Sequence, residues 1–561
     1  MKKIFSTKLI LFAILIIAAT FRLYGLNWDQ GFHLHPDERA IILTVEHLSF
    51  PPNFEAFFNS NSPWNPHFFA YGSLPFYTVY IVGQLLTPID PNFSTYLLLH
   101  IPGRFLSVIS DLLTIIIVFF IAKKLFNEKV GLLAAFFYGI SVLPIQLSHF
   151  YAVDTPLTFF ILTTLYLVLL FYEKPTIKKA LLIGITFGMA LATKVSAFVL
   201  VVAIGASLLH KPKHYRSHVS QFIKQFLTYS FFIIITTILI FLFFSPYALI
   251  DFENFWLQTM QQQAMTKDAF TFPYTLQYIN KIPYLYELKN IFFFGLGPLL
   301  AISAFVGFFF FLSESIKELV EKKSAQKIIL IIFFIIYFGI VGNFAIGFMR
   351  YMLPLYPLLC LFAAFITFRF LLFLKDKTKN QFILTTYYIL LTTVFLIWPL
   401  SFIQIYHHNN TRVDATNWIH QHIPYHSTLL VEHWDDRLPL QASENYFIED
   451  LELYNPDTPE KWQKINDQLQ RADYIIIASN RLYLPLPKLT DCVNLPMHRC
   501  YPETTKYYKK LFNGELGFQK VAEFSRYPTI PLTSITINDQ NADESFTVYD
   551  HPKVMIFKKI N

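Results

Sequence analysis

The run Tyr71-Gly-Ser-Leu-Pro-Phe-Tyr-Thr-Val-Tyr-Ile-Val-Gly-Gln-Leu-Leu-Thr87 decides the topology of this chain. Read as a membrane span, it would move every later lysine-rich loop to the other side of a bilayer. Its apolar stretch is short, and Gly72, Pro75 and Gly83 interrupt it between aromatic rims. Crossing ~30 Å of hydrocarbon at ~1.5 Å per residue takes about 20 apolar residues. The run is therefore expected to lie as an interfacial helix on a membrane surface.

Around it, apolar runs near 7–26, 95–121, 131–148, 155–172, 179–193, 195–210, 223–247, 291–312, 327–347, 351–374 and 382–405 read as about eleven spans. Alternate loops carry the basic residues: Lys123, Lys124 and Lys129; Lys174, Lys178 and Lys179; Lys211, Lys213 and Arg216; Lys317, Lys322 and Lys323; Lys375, Lys377 and Lys379. With Lys2 and Lys3, the positive-inside rule assigns all of these to the cytoplasm. The opposite loops hold Asp37 and Glu38, Asp154, Lys194, the 251–290 segment, Arg350 and everything after about residue 406. No small-residue cleavage site follows the apolar run Leu9 to Phe21, so a retained signal anchor with a cytoplasmic N-terminus is expected.

Composition agrees. A chain of 561 residues with 54% hydrophobic and 15% charged residues is not an ordinary soluble domain. Its net charge of +7 resides largely in the short loops, so it reports topology and gives no reason to expect a nucleic-acid partner. Cys360 lies in an apolar run and reads as a small buried hydrophobe. Cys492 and Cys500, in a region placed in an oxidising compartment, are expected to close a small disulfide loop.

Residues 1–405 thus form a transmembrane domain, with a first extracytoplasmic loop at about 27–94, and 406–561 an extracytoplasmic α/β domain. In the latter, Asn417 to Pro424 and Pro459 to Arg471 read as helical, and Ser427 to Glu432, Tyr474 to Ser479 and Gln519 to Ser525 as strands. Phe546 to Lys558 reads as a hairpin turning at Asp550-His-Pro552. No G-x-G-x-x-G is present, so no nucleotide site is assigned.

Chemistry concentrates in Asn27-Trp-Asp-Gln-Gly-Phe-His-Leu-His-Pro-Asp-Glu-Arg39. Adjacent carboxylates in a loop are commonly just solvated. Here His35-Pro36 restricts the backbone, and Asp37 and Glu38, flanked by His35 and Arg39, offer a base and a partner to hold it ionised. Asp154, before Thr155-Pro156, is a good helix cap in any case, and with His149 it would face Asp37 and Glu38 if the loops converge. Arg22, Lys194 and Arg350 stand at span ends, where snorkelling is the plain explanation. Arg104, Ser107 and Asp111 share one helix face, which suggests bridging of Arg104 to Asp111, and charge within a span points to function. Cations beside a carboxylate suit an anionic lipid phosphate. No H-E-x-x-H, C-x-x-C, G-x-S-x-G or Walker sequence appears.

Five short motifs, in this order, carry a family resemblance. They are Phe21-Arg-Leu-Tyr-Gly-Leu26 leading into His35-Pro-Asp-Glu38, then Gly103-Arg-Phe-Leu-Ser107, Ala152-Val-Asp-Thr-Pro-Leu157, Ala192-Thr-Lys-Val-Ser196 and Arg350-Tyr-Met-Leu-Pro-Leu-Tyr-Pro357. Through them the membrane part resembles the GT-C superfamily, close to glycosyltransferase family 39 (protein O-mannosyltransferases) and the lipid-A aminoarabinose transferases. The resemblance implies transfer of a hexose or pentose from a polyprenyl-phosphate-linked donor to a protein, lipid or glycan acceptor on the extracytoplasmic face, usually with inversion. It implies Asp37 as general base, Glu38 and Asp154 as further catalytic residues, and Lys194, Arg350 and Arg104 as holders of the donor phosphate. Arg39, His35, His149 and Tyr351 are expected to support them. No cofactor is implied with certainty; a divalent metal, held by Glu38 and Asp154, remains open. The Trp-Trp-Asp motif of oligosaccharyltransferases is absent, which argues against sequon-directed N-glycosylation. A transporter or flippase of a lipid-linked or anionic substrate is the competing reading, with Asp111 its best support. A membrane scaffold would explain the tail but not the carboxylates and cations.

Overall fold

The structure, a computed structural model, describes residues 2–209, 219–321, 323–378, 380–441 and 444–560. Lys211, Lys213, Arg216, Lys322 and Lys379 fall outside the described residues, as do the side chains of Lys2 and Lys3. This is a polytopic helical membrane protein with a C-terminal α/β sheet region. Each of the eleven apolar runs holds helical residues, the run 131–148 as two separate helices, because apolar backbone in hydrocarbon must satisfy its own N–H and C=O groups. Among the described residues, six are long and apolar enough to cross a bilayer by length and composition, or seven if one bent pair counts as a span.

That pair, Glu128–Gly139 and Val142–Ser148, bends by 57°. The break frees the Gly139 carbonyl, and Arg22 donates to it at 2.8 Å while pairing with Asp111 at 2.5 Å. Tyr138 donates to the other oxygen of Asp111 at 2.5 Å. Asp111 is thus a bracing group, and the expected bridge to Arg104 does not form. Arg104 turns instead to Glu38 and Asp29. Periodicity along one helix could not see either partner.

The run 71–87 contains one helix, Leu74–Leu86, of 13 residues. At about 20 Å it is too short to cross. It packs instead against the helix Pro36–Glu46, through Phe76, Val79 and Tyr80 against Ile41, Ile42 and Val45.

The loops sort to two ends. At one, Thr7 donates to Glu128, Lys124 pairs with Glu173, Tyr172 accepts from the Ala325 amide, and Arg369 pairs with Glu314. This gathers the lysine-rich loops. The other end gathers Asp37, Asp154, Lys194, Arg350 and the sheet.

The sheet has five strands: β1 (Thr428–Glu432), β2 (Phe447–Leu451), β3 (Tyr474–Ile477), β4 (Phe518–Phe524) and β5 (Val554–Lys559), ordered β2-β1-β3-β5-β4. β1 runs parallel to β2 and β3, while β5 is antiparallel to β3 and β4. Alternation buries both faces. Leu430, Ile475, Ile477 and Phe557 pack beneath the helices Pro459–Arg471 and Pro502–Phe512; Leu429, Val431, Ile476 and Ile556 pack against Ala415 and Ile419 of Thr411–His422. Cys492 and Cys500 form the expected disulfide, and Cys360 is buried.

The expected hairpin at Asp550-His-Pro552 is not one. The helix Glu544–Thr547 precedes that turn, and Phe546, Val548 and Tyr549 enter the core of the membrane helices. Tertiary partners override local turn chemistry. Asp550 accepts from Gln146 (3.0 Å) and Tyr406 (2.7 Å), and His551 lies between Asp550 and Asp539 (2.9 Å). Burial opposes charge on His551, but Asp550 and Asp539 outweigh it and raise its pKa to about 10. A folded pKa raised above the unfolded ~6.5 gives stability that is complete below pH ~6.5 and lost as pH rises through about 10. Hydrogen exchange across 539–552 should therefore accelerate as pH rises from ~6.5 to about 10 and level off above it, after correction for intrinsic rate, and His551→Ala should remove that step. A step unchanged in the variant would refute the assignment.

Candidate active site

Asp37 and Glu38 are adjacent, yet they point to different places. His35 caps the helix Pro36–Glu46, its Nδ1 accepting from the Glu38 amide at 3.4 Å, with Pro36 in the first turn. Burial lowers the His35 pKa to about 4, so the ring is neutral, as an accepting Nδ1 requires. It is wedged between Phe150 and Tyr549, with centroids at 4.5 and 4.4 Å. From this fixed start, one residue of helical rotation sends Glu38 into the protein and Asp37 into a cavity.

Glu38 is fully buried. Arg104 grips it with two donors, at 2.9 and 2.6 Å, and the Tyr151 amide adds a third at 2.8 Å. The same guanidinium holds Asp29 at 2.8 Å and the Leu26 carbonyl at 2.8 Å. The Arg104 fork is filled. It does not line the cavity, which corrects its expected role at the donor phosphate and makes Glu38 a support. His149 also turns away, both ring nitrogens lying 2.9 Å from the Ile145 and Tyr24 carbonyls.

The cavity, about 1790 Å³, is lined by Asp37, Arg39, Tyr71, Asp154, Lys194, Arg350 and Tyr351, among others. Arg350, on the 3-10 helix Met349–Leu355, pairs with Asp37 and lies 3.8 Å from Asp154. Lys194 pairs with Asp154 at 3.0 Å, and its ammonium sits 4.5 Å from the Tyr351 ring centroid. Burial works to raise the Asp37 pKa, but the Arg350 charge, a Tyr71 hydrogen bond and the Lys194 charge together outweigh it. Asp37 is therefore held below its usual value.

Gly72 sets part of this geometry. Its amide donates to the Thr193 carbonyl at 3.0 Å, and a Cβ there would fall 1.9 Å from the Ala192 oxygen. Only glycine permits that approach, which brings Tyr71 beside Lys194 (5.9 Å to the ring centroid).

The opposite wall comes from the C-terminal region: Trp434, Asp435, Asp436, Arg481, Glu544 and Tyr549. Arg39 of the first loop pairs with Asp436 at 3.0 Å. Sequence reasoning missed this wall. The density of charge in Glu432-His-Trp-Asp-Asp-Arg437, just past a strand, was the available signal.

Among the described residues, no group of three or more His, Cys, Asp or Glu side chains is arranged to hold a metal. Asp154 answers to Lys194 and Arg350, and Glu38 to Arg104, so the two carboxylates considered for a metal do not form a set.

A sequence profile of the dolichyl-phosphate-mannose-protein mannosyltransferase family matches residues 99–241. Among solved structures, the apo oligosaccharyltransferase of Archaeoglobus fulgidus is 13% identical, with a TM-score of 0.51, covering 94% of this chain and 74% of that one. Apo ArnT from Cupriavidus metallidurans is 13% identical, with a TM-score of 0.43, covering 88% and 96%. The S. cerevisiae protein O-mannosyltransferase Pmt1-Pmt2 complex bound to the sugar donor is 20% identical, with a TM-score of 0.32, covering 45% and 34%. No curated protein matches the sequence.

Proposed function

From a chain with a GT-C-like fold that resembles the dolichyl-phosphate-mannose-protein mannosyltransferases over residues 99–241, we propose a membrane glycosyltransferase. It moves a sugar from a polyprenyl-phosphate-linked donor to an acceptor on the extracytoplasmic face, with the C-terminal region on that side. One observation carries this reading. A single guanidinium, Arg350, faces both Asp37 and Asp154 beside Lys194, at the wall of a large cavity.

The chemistry follows from that arrangement. Two cations and two carboxylates balance in the free protein. A donor phosphate competes for Arg350 and Lys194, drawing the guanidinium away from Asp37. Asp37 then loses the charge that holds its pKa down and becomes a stronger base. It takes the proton of an acceptor hydroxyl; the acceptor oxygen bonds to the anomeric carbon, and the bond from that carbon to the phosphate oxygen breaks. The electron pair leaves with polyprenyl phosphate, whose added negative charge the two cations offset. Attack opposite the leaving group inverts the anomeric carbon.

Space agrees with two reactants. The 1790 Å³ cavity exceeds the ~300–1,000 Å³ usual for one small ligand, and Val195, Ile340, Val341 and Phe344 give it an apolar side for the prenyl chain. The transporter reading loses its best residue, since Asp111 is enclosed by Arg22 and Tyr138.

Membranes containing the protein, given a labelled polyprenyl-phosphate hexose or pentose and a panel of protein, lipid and glycan acceptors, should release polyprenyl phosphate in step with label on an acceptor. Movement of intact donor across the bilayer without release would favour the transporter instead.

A further inference from the structure

Trp434 stands where tryptophan is locally disfavoured. It is the third residue of a turn closed by the Asp435 amide on the Glu432 carbonyl (3.3 Å), and its φ is +76°. Positive φ at that position suits glycine or asparagine and is an outlier for a bulky side chain. Packing does not explain the choice, because Trp434 is 44% exposed.

The turn is braced from behind. Arg481 donates to the Trp434 carbonyl at 3.0 Å while pairing with Glu544 at 2.7 Å. Asp435 is gripped by Arg412 at 2.8 Å and by the Ser479 hydroxyl. Buried ion pairs thus hold a strained backbone that presents an indole to the cavity. Tyr274, also on the cavity wall, meets that indole at 51° with 6.3 Å between centroids. The two rings form an aromatic corner, and Asp436, Arg481 and Glu544 stand beside it as hydrogen-bonding groups. Tyr549, tilted at 54° against His35 with 4.4 Å between centroids, lines the same cavity as the corner and Asp37.

We propose that Trp434 and Tyr274 form a saccharide subsite, which seats the sugar ring of a glycan acceptor while Asp37 meets the hydroxyl to be glycosylated. This rests on the glycosyltransferase reading above and names its acceptor class. An aromatic face takes the C–H side of a pyranose, while carboxylates and a guanidinium take its hydroxyls, which is the composition found here.

The test is binding, so turnover is not needed. Full-length protein in nanodiscs is mixed with a panel of methyl hexopyranosides and disaccharides, and saturation transfer to the sugar protons is read by NMR. Transfer is expected in the wild type and in Asp37→Asn, concentrated on one ring face. Trp434→Asn, which relaxes the backbone, should weaken binding roughly five-fold or more at an unchanged or raised unfolding midpoint, whereas Trp434→Phe should retain most of it. Saturating citronellyl-phosphate hexose should leave the signal in place; displacement would assign the corner to the donor sugar and overturn the acceptor assignment. Wild-type binding in Trp434→Asn, no saccharide signal at all, or Trp434-dependent binding of a Ser/Thr-rich peptide alone would each overturn the proposal. If saccharides bind through Trp434 but no transfer is ever found, the enzymatic reading fails while the subsite stands.

Discussion

Replacing Asp37 by asparagine is expected to lower sugar transfer at least ~10²-fold, the scale of a lost general base. The substitution keeps the volume and removes the proton acceptor. It also releases Arg350 from its carboxylate partner, leaving that guanidinium free for the donor phosphate. The signature is therefore a split: kcat collapses, while KM for the donor stays level or falls. A purely structural role for the Asp37–Arg350 pair would instead show as a lower unfolding midpoint with kcat preserved. Rates of transfer and of polyprenyl-phosphate release, each against donor concentration, make the distinction. Wild-type turnover in Asp37→Asn would remove Asp37 as the base.

The largest stability effect should come from Arg104→Ala. Arg104, Glu38 and Asp29 are all fully buried, and every nitrogen of that guanidinium donates a hydrogen bond. Removing the cation strands two carboxylates where water cannot reach them. Breaking a buried pair costs about 3–5 kcal/mol, a large share of a typical ~5–15 kcal/mol fold stability. Burial raises the Asp29 pKa, but Arg104 overcomes that and pulls it far below the usual carboxylate range, so Asp29 too depends on Arg104. Thermal unfolding in detergent should show a clear drop for Arg104→Ala and a smaller one when Glu38→Gln and Asp29→Asn accompany it, since neutral groups are cheaper to leave buried. Equal melting of the wild type and Arg104→Ala would show that the network does not carry the first loop.

The helical architecture was readable because twenty-residue apolar runs admit few other structures, and the short run at 71–87 announced itself by its glycines and proline. Asp37, Asp154, Lys194 and Arg350 stood out for a related reason: charge is costly in such a chain, so its positions are informative. The residues alone could not tell Asp37 from Glu38; only the family resemblance favoured Asp37. The difference is a single step of helix rotation, fixed by the His35 cap and by an arginine some 66 residues away. Arg104 and Asp111 were misjudged similarly, since a shared helix face suggested a pair while both had better partners on other helices. The C-terminal wall left only the charge density at 432–437 as a trace, for a deeper reason. Its residues are held at the cavity by partners far away in sequence, Phe546, Val548 and Tyr549 in the core of the membrane helices and Arg39 on Asp436, and nothing local to those segments records it.

The proposed donor site turns on one placement. A cryo-EM structure of the full-length protein with polyprenyl phosphate should show phosphate oxygens within hydrogen-bonding distance of Lys194 Nζ and the Arg350 guanidinium, with Arg350 drawn off Asp37 and the carboxylate left open to the cavity. Phosphate density remote from both cations, with the Arg350–Asp37 pair intact, would contradict it.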